Sequence, residues 1–424
     1  MSVAATFLGS ARSRLLPVSV PFRFFAAAAV FHVLAWLALL WGAGDLIWFR
    51  GGLGLPVAAL HLLTLGTLTM TAIGAALQLL PVATVQPLTR VWPARACFWL
   101  GVPGVVVLAF GMAAAEPAAL TAGAVATTLA LAVFAAAIAD NLRRARSMPL
   151  VAAHGWAALG ALVGLLLVAA LLILDMQRAV LPDHAAGAFA HFILAAFGFM
   201  GLLALGFSYV LVPMFALSRA PPARPAWVSL WLAVAAIGLA CLGALMSLWP
   251  ALAGAAALGL IAAGLHLKVM AWVWTRRMRK RMGLSFVMVR LAWGVLVVSL
   301  LLGLALALGA PVPQGGVTFV FLVLVGWLLT FLTGVLQRIL PFLATLHAGK
   351  AGGKQPLPSE LAPELPLKVH AACHVSAVIF ITAGLVLELA PLVHAGAAFG
   401  TGGSIAFGAF TFIVIHRMAV SRAR

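Results

Sequence analysis

Histidine is the residue type in this chain best suited to chemistry. There are eleven, against eight carboxylates and three cysteines in 424 residues. Neutral imidazole is a good ligand for haem iron and for copper. His61 begins one long apolar segment, His184 and His191 begin another, and His394 lies at the end of a third. His184 and His191 are seven residues apart, two turns along one helix face. These four share one depth layer near the outer membrane surface, while His32 lies mid-membrane in the first apolar segment. Such a layer, with almost no acids, has the donors of a haem or copper site. It suits a proton-coupled transporter poorly, because those rely on buried Asp or Glu. His61, His191, His184 and His32 are therefore the candidates for cofactor binding, and His191, His184 and His394 for metal ligation. A single hydrogen bond can also satisfy a neutral imidazole, so a structural role stays open for each.

His370, Cys373 and His374 form H-x-x-C-H on one helix face near the inner surface. Spacings of three and four permit joint metal ligation. The segment lacks the first cysteine of a covalent haem-attachment motif. Tyr209 is the sole tyrosine, and so the only candidate for a tyrosine proton or radical donor. There is no nucleotide-cradling loop, hydrolase triad or zinc-protease motif. Cys97, Cys241 and Cys373 lie in or near apolar segments and form no disulfide framework.

The elements that must position these residues are membrane helices. Hydrophobic residues make up 65% of the chain, charged residues 8%, and the mean hydropathy is +1.18. The apolar runs are long and do not alternate, which selects helices over a closed barrel. About twelve spans are expected, near 23–43, 55–84, 97–115, 119–140, 151–174, 184–217, 226–247, 251–275, 287–309, 316–345, 369–391 and 401–418. The net charge of +18 is concentrated in short loops after every second span, as in Arg143, Arg144 and Arg146 or the run from Arg276 to Arg281. That is the positive-inside distribution, which puts both termini in the cytoplasm and argues against nucleic-acid binding. The first run follows Arg12, Arg14 and Arg23 and is too long and too late for a cleaved signal. The loop 346–368 is polar and cytoplasmic. The Ala/Leu/Arg bias points to a bacterial inner membrane.

A pattern repeats three times: Gly66/Gly74/Pro81, Gly198/Gly206/Pro213 and Gly326/Gly334/Pro341. It divides the single transmembrane domain into three four-helix modules, near 23–140, 151–275 and 287–418, with the pattern on the second helix of each. At 100° per residue, Gly74 and Pro81 fall about 20° apart and Gly66 about 80° away. Small residues there allow close helix approach in lipid.

Three modules with histidines on the second helices resemble the haem–copper oxidase subunit I superfamily. The stretches His61–Met70 with Gln78–Pro81, and His191 through Gly206–Met214, look like cytochrome c oxidase subunit I-like proteins. The resemblance implies twelve helices in three pseudo-symmetric arcs. It implies that His61 takes the place of the low-spin haem ligand, and His191 approximately that of a copper ligand. The pattern departs on the seventh helix, which lacks the family's His pair, and on the tenth, where Phe321 aligns with His61. His191 is offset by two residues from Ile193, the repeat equivalent of His61. A full oxygen-reducing binuclear centre is therefore not expected. NnrS-like proteins, which bind haem and copper in nitric oxide stress, offer a functional analogy.

Three readings follow. One is a haem- and/or copper-binding protein in respiratory electron transfer or nitric oxide handling, with a respiratory electron donor as partner. Another is a cofactor-free relative acting in transport or respiratory-complex assembly. The last is a secondary transporter of unrelated fold, disfavoured because such proteins usually show two related halves.

Overall fold

A computed structural model describes residues 14–348 and 356–423. Arg12 and the middle of the 346–368 loop, with Lys350 and Lys354, lie outside the described residues. The described residues contain helices and no strand. Among the described residues, twelve helices are long and apolar enough to cross a membrane: α1 Ser19–Trp41, α2 Leu55–Ala83, α3 Trp92–Ala114, α4 Pro117–Arg143, α5 Pro149–Arg178, α6 His184–Ala216, α7 Ala223–Leu245, α8 Trp249–Thr275, α9 Gly283–Ala307, α10 Gly315–Ala348, α11 Glu364–Val386 and α12 Ala390–Ala423. Large apolar side chains such as Trp41, Trp99, Leu167 and Phe110 are exposed on their outer surfaces, as a lipid-embedded bundle requires.

α2 and α10 are the most enclosed of the twelve. They follow their neighbours so closely because of the repeated glycines. A Cβ on Gly66 would lie 2.5 Å from Phe31, and one on Gly74 2.9 Å from Phe24. The same contacts recur from Gly198 to Ala161 and Gly206 to His154, and from Gly326 to Val295 and Gly334 to Met288. In each case two glycines eight residues apart meet two residues of the preceding helix that are seven apart. A uniform α-helix would swing the first glycine away, as the sequence spacing predicts. The extra residue is absorbed by a π-helical stretch at Leu62–Thr69, Leu194–Gly201 and Leu322–Leu329. A π turn holds more residues than an α turn, so it brings both glycines onto one face. The first glycine of every pair lies inside the π stretch.

The wider turn loosens the backbone ladder, and side chains compensate. Thr67 Oγ1 donates to Leu62 O at 3.5 Å, and Thr330 Oγ1 to Val325 O at 3.0 Å, each spanning five residues. Helix hairpins α3–α4, α7–α8 and α11–α12 close through a related device. Gly111 meets Leu120, Gly243 meets Leu252 and Gly384 meets Val393, backbone against backbone. Lipid supplies no hydrophobic force between helices, so this close contact is what holds them. Interhelical bonds add to it, including Ser285 Oγ to Gly334 O at 2.7 Å and Ser229 Oγ to Ala262 O at 2.8 Å.

The largest departure from the expected boundaries falls between the last two spans. α12 starts at Ala390 rather than near 401, and α11 ends at Val386 rather than near 391. The run 396–403 is rich in glycine. In the bundle its glycines are contact points, Gly396 on Ile381, Gly400 on Trp36 and Gly403 on Cys373. The turn falls instead at Glu388, whose φ of 55° lies in the left-handed region. His394 therefore sits in the first turns of α12, not at the end of α11.

Substitution by alanine tests this packing. Gly66→Ala and Gly206→Ala insert a methyl against Phe31 and His154, and overpacking of this kind costs about 1–3 kcal/mol. Both should lower the thermal midpoint of the detergent-purified protein. Gly160→Ala, which faces open space, should not.

Candidate functional site: an apolar chamber with two facing histidines

At the end of the bundle remote from both described termini, the helices splay around a cavity of about 1580 Å³. Its wall draws on every helix from α1 to α10 and is almost wholly apolar, built from Leu, Ala and Phe. The polar exceptions include His61, His184, His191, Thr64, Arg50 and Gln314.

His61 is the last residue of α2 before the π stretch. Its Nδ1 lies 2.9 Å from the Val57 carbonyl, which can only accept. Nδ1 therefore carries the proton, and the Nε2 lone pair is left free. His191 stands on α6, and its Nδ1 is buried without a protein partner. The two rings are 6.4 Å apart between centroids and tilted by 31°. Their two-residue offset in the repeat is what brings them together. Two residues turn a side chain about 200° around its helix, so His191 points opposite to Ile193 and back toward the first module. Phe321, the repeat equivalent of His61, lines the same cavity and is buried.

His184 reaches the cavity wall at its rim. Its Nδ1 is 2.7 Å from Asp175 Oδ2, and Asp175 also accepts from Leu181 N at 2.6 Å. Asp183 caps α6 by accepting from Ala185 N and Ala186 N. The two carboxylates thus fold the α5–α6 turn and fix His184. Across the mouth, Arg50 Nη1 donates to Gln314 Oε1 at 2.7 Å, and Gln314 Nε2 donates to Glu388 Oε1 at 2.8 Å.

The other two candidates lie elsewhere. His394 is exposed, bonded to its own helix at Ala390 O, and is not among the residues lining the chamber. His32 is buried between α1, α11 and α12, with its ring 6.0 Å from that of His370. Sequence spacing grouped His370 and His374 with Cys373; the fold sets His370 beside His32 and bonds His374 to Thr330, while Cys373 lies against Gly402 and Gly403 of α12. A second group absent from the sequence reading joins three helices: Tyr209 OH is 3.0 Å from His266 Nδ1, and the His154 ring is 5.4 Å from that of Tyr209. No spacing rule reveals these partners, because they come from different helices.

Among the described residues, no three His, Cys, Asp or Glu side chains are arranged to hold one metal ion. A copper site of three protein nitrogens therefore has no match in this donor set. No protein-family model matches the chain, and no curated protein matches it.

The chamber predicts a simple binding property. A small apolar fluorophore should bind the purified protein, and Ala195→Trp, which fills the cavity wall, should weaken binding by about tenfold, or ~1.4 kcal/mol, in a fluorescence titration.

Proposed function

We propose that the chain is a haem-binding membrane protein with a cytochrome c oxidase subunit I-like arrangement, acting in respiratory electron transfer or nitric oxide handling. The observation that carries this reading is the 6.4 Å separation of the His61 and His191 rings across an apolar chamber. Nitrogen–metal bonds of this kind are about 2.0–2.1 Å. At that ring separation His61 and His191 could both ligate one metal ion. His61 already offers Nε2, with Nδ1 tied to a backbone carbonyl, as metal-bound histidines commonly are.

The chamber suits the group in other respects. It exceeds the usual 300–1,000 Å³ of a small-molecule pocket, and a porphyrin needs a large apolar enclosure. Arg50 at the rim offers a guanidinium to a carboxylate. Bound there, the haem would supply one-electron redox chemistry or a site for a diatomic gas. The protein's part would be to exclude water through the Leu and Phe wall, to fix both imidazoles and to offer the Arg50 guanidinium to an acidic group. With the basic loops in the cytoplasm, the chamber opens to the outer side of a bacterial inner membrane, where an electron donor would dock. One observation favours the alternative of a cofactor-free relative in transport or assembly: Phe321 stands where the third copy of the repeat would place a His61 equivalent.

The deciding experiment is a reduced-minus-oxidised visible spectrum with metal analysis of the same detergent-purified sample. Haem bound by both histidines should give a six-coordinate low-spin spectrum. His61→Ala should abolish it or shift it to high spin, and His191→Ala should do the same. Absence of haem, in cells that load other haem proteins, overturns the reading and leaves the cofactor-free one.

A further inference from the structure

The buried histidines of α1 and α11 carry a second inference, independent of the chamber's occupant. His32 is 1% exposed and His370 fully buried. Trp36 Nε1 lies 3.1 Å from His32 Nε2. Indole nitrogen can only donate, so His32 Nε2 is the acceptor and the proton of the neutral ring sits on Nδ1. His370 Nδ1 lies 3.0 Å from Gly403 O, which can only accept. The proton of neutral His370 is therefore on Nδ1, and Nε2 keeps its lone pair.

Two buried atoms remain: an N–H on His32 Nδ1 and a lone pair on His370 Nε2, neither with a protein partner. They belong to rings 6.0 Å apart at an interplanar angle of 74°. No direct hydrogen bond joins them. Buried polar groups left this way are rare, and an unpartnered donor and an unpartnered acceptor on neighbouring rings call for a guest that bonds to both. It must accept from one ring and donate to the other. A metal cation can do neither for His32, whose N–H would face it. A carboxylate could not donate. The Phe407 ring packs beside both, 4.8 Å from His370 and 6.0 Å from His32.

We propose that one water molecule binds between His32 and His370, accepting from Nδ1–H of the first and donating to Nε2 of the second. Buried waters typically occupy such sites, with two to four polar partners. The site has a route to the chamber. Trp36 lines the cavity wall and donates to His32. On the other flank, His374 Nε2 is 2.7 Å from Thr330 Oγ1, which donates to Val325 O in the π stretch of α10. Val325 also lines the cavity. The water completes a polar link from Trp36 and His32 of α1 to His370 of α11 and Gly403 of α12.

The test is solid-state NMR of the full chain, labelled with ¹⁵N-histidine, in lipid vesicles. His32 and His370 should both be neutral with the proton on Nδ1, and polarisation from water should reach the His32 Nδ1 proton. His370→Phe should abolish that transfer while leaving the His154 and His266 resonances in place. If that variant fails to fold, Trp36→Phe serves instead: freed of its donor, His32 Nε2 should take up a share of the proton. A proton on His32 Nε2 in the unsubstituted protein overturns the proposal. So does absence of water contact at His32, or one equivalent of Zn²⁺ shifting both rings.

Discussion

Close approach of each second helix to the helix before it is the constraint on which the rest of this structure depends. Within lipid there is no hydrophobic gain from pressing apolar helices together, so association relies on intimate contact. Glycine makes that contact possible at Gly66, Gly74 and their counterparts, where even a methyl group would meet a neighbour. The contact also needs both glycines on one face, and an eight-residue spacing in pure α geometry does not give that. The π stretches supply the missing rotation. Glycine spacing and helix irregularity are thus one device, used three times.

That device also sets the chemistry. His61 sits immediately before the π stretch of α2, at the level where α2, α6 and α10 diverge around the chamber. π insertions are often found at functional sites, and here the same insertion that seats a helix also orients a histidine. The third copy carries Phe321 at that position and the second carries Ile193, so only one of the three equivalent directions bears an imidazole. His191 completes the pair from a non-equivalent position. The symmetry of the scaffold is therefore broken at the place where a ligand would need two unlike walls.

Polar groups elsewhere in the bundle sort by the same logic. Each buried histidine in α1, α5, α8 or α11 has one ring nitrogen bonded to a carbonyl, an indole or a hydroxyl from the protein. The exposed charges stay at helix ends, as in Asp140 with Arg143 and Arg144, where water lowers the cost of the charge. Arg276 and Arg277 lie over Trp272 and Trp274 at the end of α8, pairing cation with aromatic where a headgroup layer accommodates both.

The sequence by itself determined that this is a twelve-helix apolar chain with a threefold glycine–proline repeat, because hydropathy and spacing are properties of the chain alone. It placed His61, His184, His191 and His394 in one layer by helix rise, and the first three line one cavity. It placed the start of the last span near 401 rather than at Ala390, because which glycines are contact points is known only once the neighbouring helix is. The tertiary structure alone decided which histidines meet. His61 meets His191 through a two-residue offset, His32 meets His370 of α11 as well as Trp36 of its own helix, and His394 stands apart. Rotation about a helix axis and the identity of the facing helix are set by packing. In a chain whose helices are apolar nearly all round, no moment in the sequence records them.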